Sequence, residues 1–274
     1  IFLVAVYEYT PTLTDLDGYT YGGRGQVWIT DNLRIGATGY LEDTGFADQR
    51  LYGLDAHLRI SPKSYFELEW AQSEGSTFGV VTSTDGGFIF NPVSGAGPAN
   101  GTADAYRAKL SLDLGELSDG QLEGTVGGYY ESREAGFNAP GRYTTVDERL
   151  SGVFADIKLD EDTTLRAKYD EVNRADGDNR REISAEVERR FNDEYTGSIG
   201  ITHSDFASRV GTGTGFGERT DVGARLTRTL DEKNKAWIFG QATVSRDKTR
   251  ERNDRVGIGF ERQITDRLSA EAEV

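Results

Sequence analysis

Apolar and hydrophilic residues alternate with a period of two along almost the whole chain. Leu33, Ile35, Ala37, Gly39 and Leu41 interleave with Arg34, Gly36, Thr38, Tyr40 and Glu42, and residues two apart share one face of a strand. Tyr52, Leu54, Ala56 and Leu58 oppose Gly53, Asp55, His57 and Arg59, while Phe66, Leu68 and Trp70 oppose Glu67 and Glu69. The scheme returns with Tyr106, Ala108 and Leu110 against Arg107 and Lys109, Leu165, Ala167 and Tyr169 against Arg166 and Lys168, and Ile183, Ala185 and Val187 against Glu186 and Glu188. Helical periodicity never takes over. The pattern predicts about fifteen antiparallel strands, near 2–10, 19–30, 33–42, 49–60, 64–74, 103–115, 121–133, 146–159, 163–174, 180–191, 195–205, 218–230, 235–247, 253–264 and 267–274. The stretch 235–247 fits least well, because Trp237 and Phe239 fall on its hydrophilic side.

The connections sort into two alternating classes. Short turns fall at Asp31-Asn32, Ser61-Pro62-Lys63, Glu116–Gly120, Asp160–Asp162, Asn192–Glu194, Asp231–Asn234 and Thr265–Arg267. Mostly longer, variable loops occupy 10–18, 43–48, 75–102, 134–145, 175–179, 206–217 and 248–252. A transmembrane β-barrel has this division, with tight turns on the periplasmic side and long loops outside. The expected fold is therefore all-β: an antiparallel up-and-down transmembrane barrel, read as one domain over 1–274. With an odd strand count, closure needs sixteen strands or more. Ile1 opens inside an apolar run and Val274 stops inside an alternating strand, so the barrel is expected to be truncated at both ends.

Composition narrows the picture further. The chain has 34 Gly, 13 Tyr and 13 Phe but 5 Pro and no Cys, which suits strands and turns and removes thiol chemistry and Cys-based metal sites. A formal net charge of -15 argues against a nucleic-acid partner, since phosphates call for surplus Lys and Arg. No apolar run reaches the roughly 18 residues of a transmembrane helix. Alternating barrel strands escape that test, because averaging hides their apolar face.

The alternation, the turn asymmetry and the aromatic content resemble bacterial outer-membrane barrels of the porin type across essentially the whole chain. A narrower resemblance, carried by Tyr52–Arg59, Ser73-Glu74-Gly75, Asp85–Phe88 and Tyr129–Phe137, is to the C-terminal barrels of large proteobacterial surface proteins. The resemblance implies a bacterial outer-membrane location, lipid as the surrounding partner, contacts with other surface or periplasmic proteins, and a terminal aromatic residue that Val274 is not. In general porins the third external loop folds into the lumen. Here the third is also the longest, so Asp85, Phe88 and Phe90 are candidates for a constriction, although no Pro-Glu-Phe-Gly-Gly signature is present. An exposed flap is the alternative.

On the hydrophilic face, Arg24, Arg34, Asp55, His57, Arg59, Glu67, Glu69, Arg107, Lys109, Glu123, Arg166, Lys168, Glu186, Glu188, Arg225 and Glu261 are expected to line a hydrated lumen. Opposite charges on neighbouring strands can neutralise one another, or set a field that selects polar solutes. Tyr7, Tyr9, Tyr19, Tyr21, Tyr40, Tyr129, Tyr130 and Tyr143 are expected to form an interfacial girdle.

Catalytic and metal signals are weaker. Asp55-Ala56-His57, with Asp15 and Asp17, resembles the Asp-x-His and paired-Asp arrangement of omptin proteases, in which a water is activated; membership of the lumen charge network is the competing reading. His203-Ser204-Asp205 is a local tripeptide rather than a spatial triad. Gly211–Gly217 lacks the Lys and helix of a phosphate loop. Ala175–Asn179 reads as a tight turn before a Ca²⁺ site, and Asn100-Gly101-Thr102 is a bare sequon. The expectation is a non-enzymatic channel without cofactor or metal. The alternative is a barrel that anchors a larger surface assembly.

Overall fold

A computed structural model describes residues 19–43, 49–75, 81–82, 91–92, 101–139, 142–207, 216–265 and 267–274. The predicted strand at 2–10, the Asp15 and Asp17 pair, and Asp85, Phe88 and Phe90 lie outside the described residues, as do Tyr7 and Tyr9.

The remaining alternating segments all become strands. They are β1 (Tyr19–Trp28), β2 (Leu33–Asp43), β3 (Gln49–Arg59), β4 (Tyr65–Gly75), β5 (Thr102–Asp113), β6 (Glu123–Arg133) and β7 (Glu148–Lys158). There follow β8 (Thr163–Arg174), β9 (Asn179–Arg190), β10 (Tyr195–Ala207), β11 (Gly217–Asp231), β12 (Asn234–Arg246), β13 (Arg255–Thr265) and β14 (Leu268–Glu273). They form one 14-stranded sheet in which every strand pairs with its neighbours in chain order, always antiparallel. This is the up-and-down topology that the alternation and turn spacing predict. The turn expected at 116–120 instead contains a single helical turn, α1 (Leu114–Leu117), capped by the Asp113 side chain accepting from the Glu116 N–H at 3.0 Å.

The register assigns each residue a face. On one face lie Ile35, Leu54, Leu68, Tyr106, Val153, Ile183, Ile199, Ile201, Leu226, Ile238 and Ile258. Each is between 41% and 65% exposed. The buried apolar side chains are only Ala103, Phe137 and Trp237 among the described residues. The chain exposes 18743 Å², against about 12,000 Å² for a folded soluble monomer of this mass. An apolar sheet face with no second layer over it is not how a soluble sheet is built.

Charges on that apolar face sit only near the strand ends. On β9, Arg181 and Arg189 bracket Ile183, Ala185 and Val187, leaving about 26 Å of strand without a charge between them. On β11 the corresponding pair is Glu218 and Arg228. With strands tilted by about 40°, these spans rise roughly 20 to 25 Å, the apolar height of a transmembrane barrel wall.

The other face is held together by reaches across glycine. Asp55 of β3 lies over Gly36 of β2 and accepts from Arg24 of β1 at 2.8 Å. Tyr129 of β6 covers Gly152 of β7 and donates to Asp170 of β8. Trp237 of β12 lies on Gly259 of β13 and donates to Glu273 of β14 at 3.2 Å. Each bridge needs a middle residue without a side chain, because a Cβ on Gly152 would come within 2.7 Å of the Tyr129 ring. The misfit of Trp237 and Phe239 is thereby explained: both do point to the hydrophilic face, where Gly259 and Gly257 leave floor space for their rings.

Candidate functional site: the charged face of the sheet

Every residue predicted to line a lumen is brought to this one face. Arg24 pairs in register with Thr38, Arg34 with His57, His57 with Glu67, and Glu67 with Lys109. Asp55 is followed by Glu69 and Arg107, and Arg59 lies beside Tyr65. Glu123, Arg166, Lys168, Glu186, Glu188, Arg225 and Glu261 occupy the same side of β6, β8, β9, β11 and β13. The arrangement follows from the two-residue period together with short turns that fix the pairing.

Ion pairs run across this face from strand to strand. Arg166 reaches Asp156 at 3.3 Å, Glu186 at 3.4 Å and Glu188 at 3.3 Å. Arg107 lies between Glu69 at 4.0 Å and Glu131 at 3.4 Å. Lys158 of β7 holds Glu123 of β6 at 3.0 Å, and within β8 Lys168 holds Asp170 at 2.7 Å. Several of these partners, including Glu131, Asp156 and Asp170, belong to the face by parity alone and are additional to the predicted set. Their side chains are about half exposed in most pairs, so solvent screening keeps each worth little. Together they neutralise the wall.

Toward the short-turn end the cations stack on rings. Arg59 lies over Trp28 at 4.6 Å, Arg34 over the same ring at 5.8 Å, and Lys109 over Tyr65 at 5.4 Å. His57 lies against Tyr65 with ring centroids 5.2 Å apart and bonds Glu67 at 3.0 Å. Farther along the sheet, a cavity of about 710 Å³ is lined by Asp156, Arg166, Lys168, Glu186, Arg225 and Glu273 among others. Its lining runs from β7 to β14.

Among the described residues, the loop after β6 folds over this face. Asn138-Ala139 pairs with Arg142-Tyr143 as a small hairpin, tied at its base by Gly136 N–H to Thr144 at 2.8 Å and Thr144 N–H to Phe137 at 2.9 Å. It crosses β5 to reach strands far away in sequence: the Gln49 amide donates to the Asn138 carbonyl at 3.0 Å, and the Asn138 N–H donates to Ser73 Oγ at 3.0 Å. Gln49, Ser73, Ala103, Phe137, Asn138 and Thr144 are all buried beneath or within it. Arg142 and Arg133 each hold Glu148 at 2.7 Å.

The structure revises two parts of the aromatic expectation. Tyr19, Tyr21 and Tyr130 do lie exposed on the apolar face toward the long loops. Tyr40 and Tyr129 point to the charged face, where they bond Glu42 and Asp170, and Tyr143 belongs to the hairpin. Parity decides this: neighbours in sequence such as Tyr129 and Tyr130 must face opposite ways.

Asp55 and His57 share the charged face but are taken by different partners, Arg24 and Glu67. Ser204 faces the charged side while His203 and Asp205 face the apolar side, which separates the members of that tripeptide. The 175–178 turn is closed by its own groups. Asp176 accepts from Arg174 at 3.2 Å and from the Asp178 N–H at 3.1 Å, around Gly177 with φ 89°.

No family model matches the sequence, and no curated protein matches it. Among solved structures, a bacterial polysaccharide outer membrane secretin is similar with a TM-score of 0.48 and 14% identity, over 95% of this chain and 86% of that one. The ferric-catecholate import receptor Fiu from E. coli K12, in its open form, is similar with a TM-score of 0.38 and 13% identity, over 93% of this chain and 50% of that one. Similarities this low assign no family and no role.

Proposed function

We propose that this chain is the wall of a bacterial outer-membrane β-barrel whose charged face encloses a water-filled passage for small polar solutes. One observation carries the reading: a single register separates an exposed, charge-free apolar band from a face crossed by ion pairs. The apolar band suits lipid, and the ion pairs suit water, since burying them dry would cost several kcal/mol per ion. Among the described residues β1 and β14 end the sheet, and closure has to satisfy such ladder groups in a membrane. The proposed role requires no catalytic group and no cofactor.

A second reading, a barrel that anchors a surface assembly without conducting, draws support from the 134–147 hairpin seated on the charged face. Planar-bilayer recording of the detergent-purified protein separates the two. A stable open current, with an ion preference shifted by Arg107→Gln, supports the passage. Folded, inserted protein that carries no current supports the anchor.

A further inference from the structure

At the long-loop end of the charged face, one corner sets cation against cation. In much of the face a cation meets a carboxylate on the next strand, as Arg166 meets Glu186. Here Arg219 of β11 stands directly opposite Arg246 of β12, an arrangement that like charges normally penalise. The opposition is produced by a bulge. Thr220 pairs with Ser245 but Asp221 with Thr243, so Val244 is an extra residue. Without it, strict alternation would send Arg246 to the apolar face. A bulge that re-aims one side chain is a device found beside sites.

Two more guanidiniums join this corner. Arg180 of β9 lies over the Phe206 ring at 4.8 Å, and Arg250, from the loop after β12, lies over the same ring at 4.3 Å and donates to Ser204 Oγ at 3.0 Å. The acids nearby are already engaged: Asp221 accepts from Arg219 at 2.8 Å and from Thr243 Oγ1 at 2.7 Å, and Glu182 accepts from Arg180 at 2.9 Å. Arg246 donates to the carbonyls of Asp247 and Arg250 and among the described residues forms no salt bridge, while Asp254, which feels its charge, is held by Arg252. Burial, and next the charge of Arg219, push the Arg250 guanidinium below its ordinary value, against the opposing pull of Asp221.

We propose that Arg180, Arg219, Arg246 and Arg250 form a binding site for an oxyanion, a phosphate, sulfate or carboxylate group, at the long-loop end of the charged face. Planar forks pre-oriented on Phe206 suit the two-point recognition of such groups, and stacking on the ring lowers the cost of holding two cations together. Binding at this corner is independent of whether the barrel conducts.

The test is calorimetric titration of the detergent-purified protein with inorganic phosphate and sulfate, and in parallel with neutral micelles doped with an anionic phospholipid. Saturable binding with Kd below about 10 mM is expected, weakened about tenfold or more by Arg246→Gln and unchanged by Lys168→Gln on the same face. A response to the free ions assigns the site to solutes, and a response to the doped micelles alone assigns it to a headgroup. Should Arg246→Gln fail to fold, Arg246→Lys, which keeps the charge but loses the fork, must show the weakening. Absence of saturable binding, or binding that Arg246→Gln leaves intact, overturns the site.

Discussion

Ile201 lies on the apolar face of β10, between Ala185 of β9 and Val222 of β11, and is 48% exposed. Ala185 is midway between Arg181 and Arg189, about 13 Å of strand from each, so Ile201 sits at the centre of the uncharged band. If water covered this face, Ile201→Arg would be an ordinary surface change, within about 0.5 kcal/mol of neutral. If lipid covers it, an arginine at the midplane costs about 2–4 kcal/mol, between one and three powers of ten in the folding equilibrium. The measurement is urea-dependent folding into lipid vesicles, followed by tryptophan fluorescence, with Thr202→Arg as partner variant. Thr202 is the next residue, points to the charged face and lies beside Asp221, so the same side chain there is expected to be nearly neutral. Equal effects at the two positions, or a loss below about 0.5 kcal/mol at Ile201, would refute a lipid-facing band.

Further outcomes follow from the charged face and its rim. Gly259→Ala places a Cβ inside the Trp237 ring and is expected to cost about 1–3 kcal/mol with a changed tryptophan emission, whereas Gly240→Ala, with open space around it, is expected to be neutral in the same thermal melt. Gln49→Ala combined with Ser73→Ala removes both distant ties of the 134–147 hairpin, each worth about 1 kcal/mol, and limited proteolysis should then cut near residues 139–142 faster than in the parent. Asp254 is held below the ordinary aspartate range by Arg252 and then by the Thr243 N–H at 2.7 Å. A folded-state value lower than the unfolded one stabilises above about pH 4 and is lost as pH falls through the folded value. Asp254→Asn should therefore flatten the acid limb of the stability profile, and an unchanged limb would show that this carboxylate is not coupled to folding.

The strands were legible because a two-residue period is local: β2, β5, β8 and β9 can each be read from ten residues without knowing their neighbours. Parity within each strand likewise assigns the charged residues to one face. What sequence could not supply depends on register between strands. Trp237 looks misplaced until Gly259 is known to lie beside it, and Arg246 reads as lipid-facing until the extra residue at Val244 is seen. The seat of the hairpin on Gln49 and Ser73 joins residues 65 to 89 positions apart, a distance over which alternation carries no information. The porin resemblance places an inward loop at 75–102, most of which lies outside the described residues, because length is the visible cue; the hairpin after β6 is held by buried polar contacts that leave no periodic trace.

The glycine bridges alter how such a wall comes apart. In a plain meander each strand is fastened only to its two neighbours, so an edge can be peeled one strand at a time. Here the Arg24–Asp55, Tyr129–Asp170 and Trp237–Glu273 contacts each stitch a strand to the second one over, as a hoop binds staves that do not touch. Peeling β14 away also breaks its tie to β12, and peeling β1 breaks its tie to β3. At those places the natural unit of rupture is a hairpin rather than a single strand.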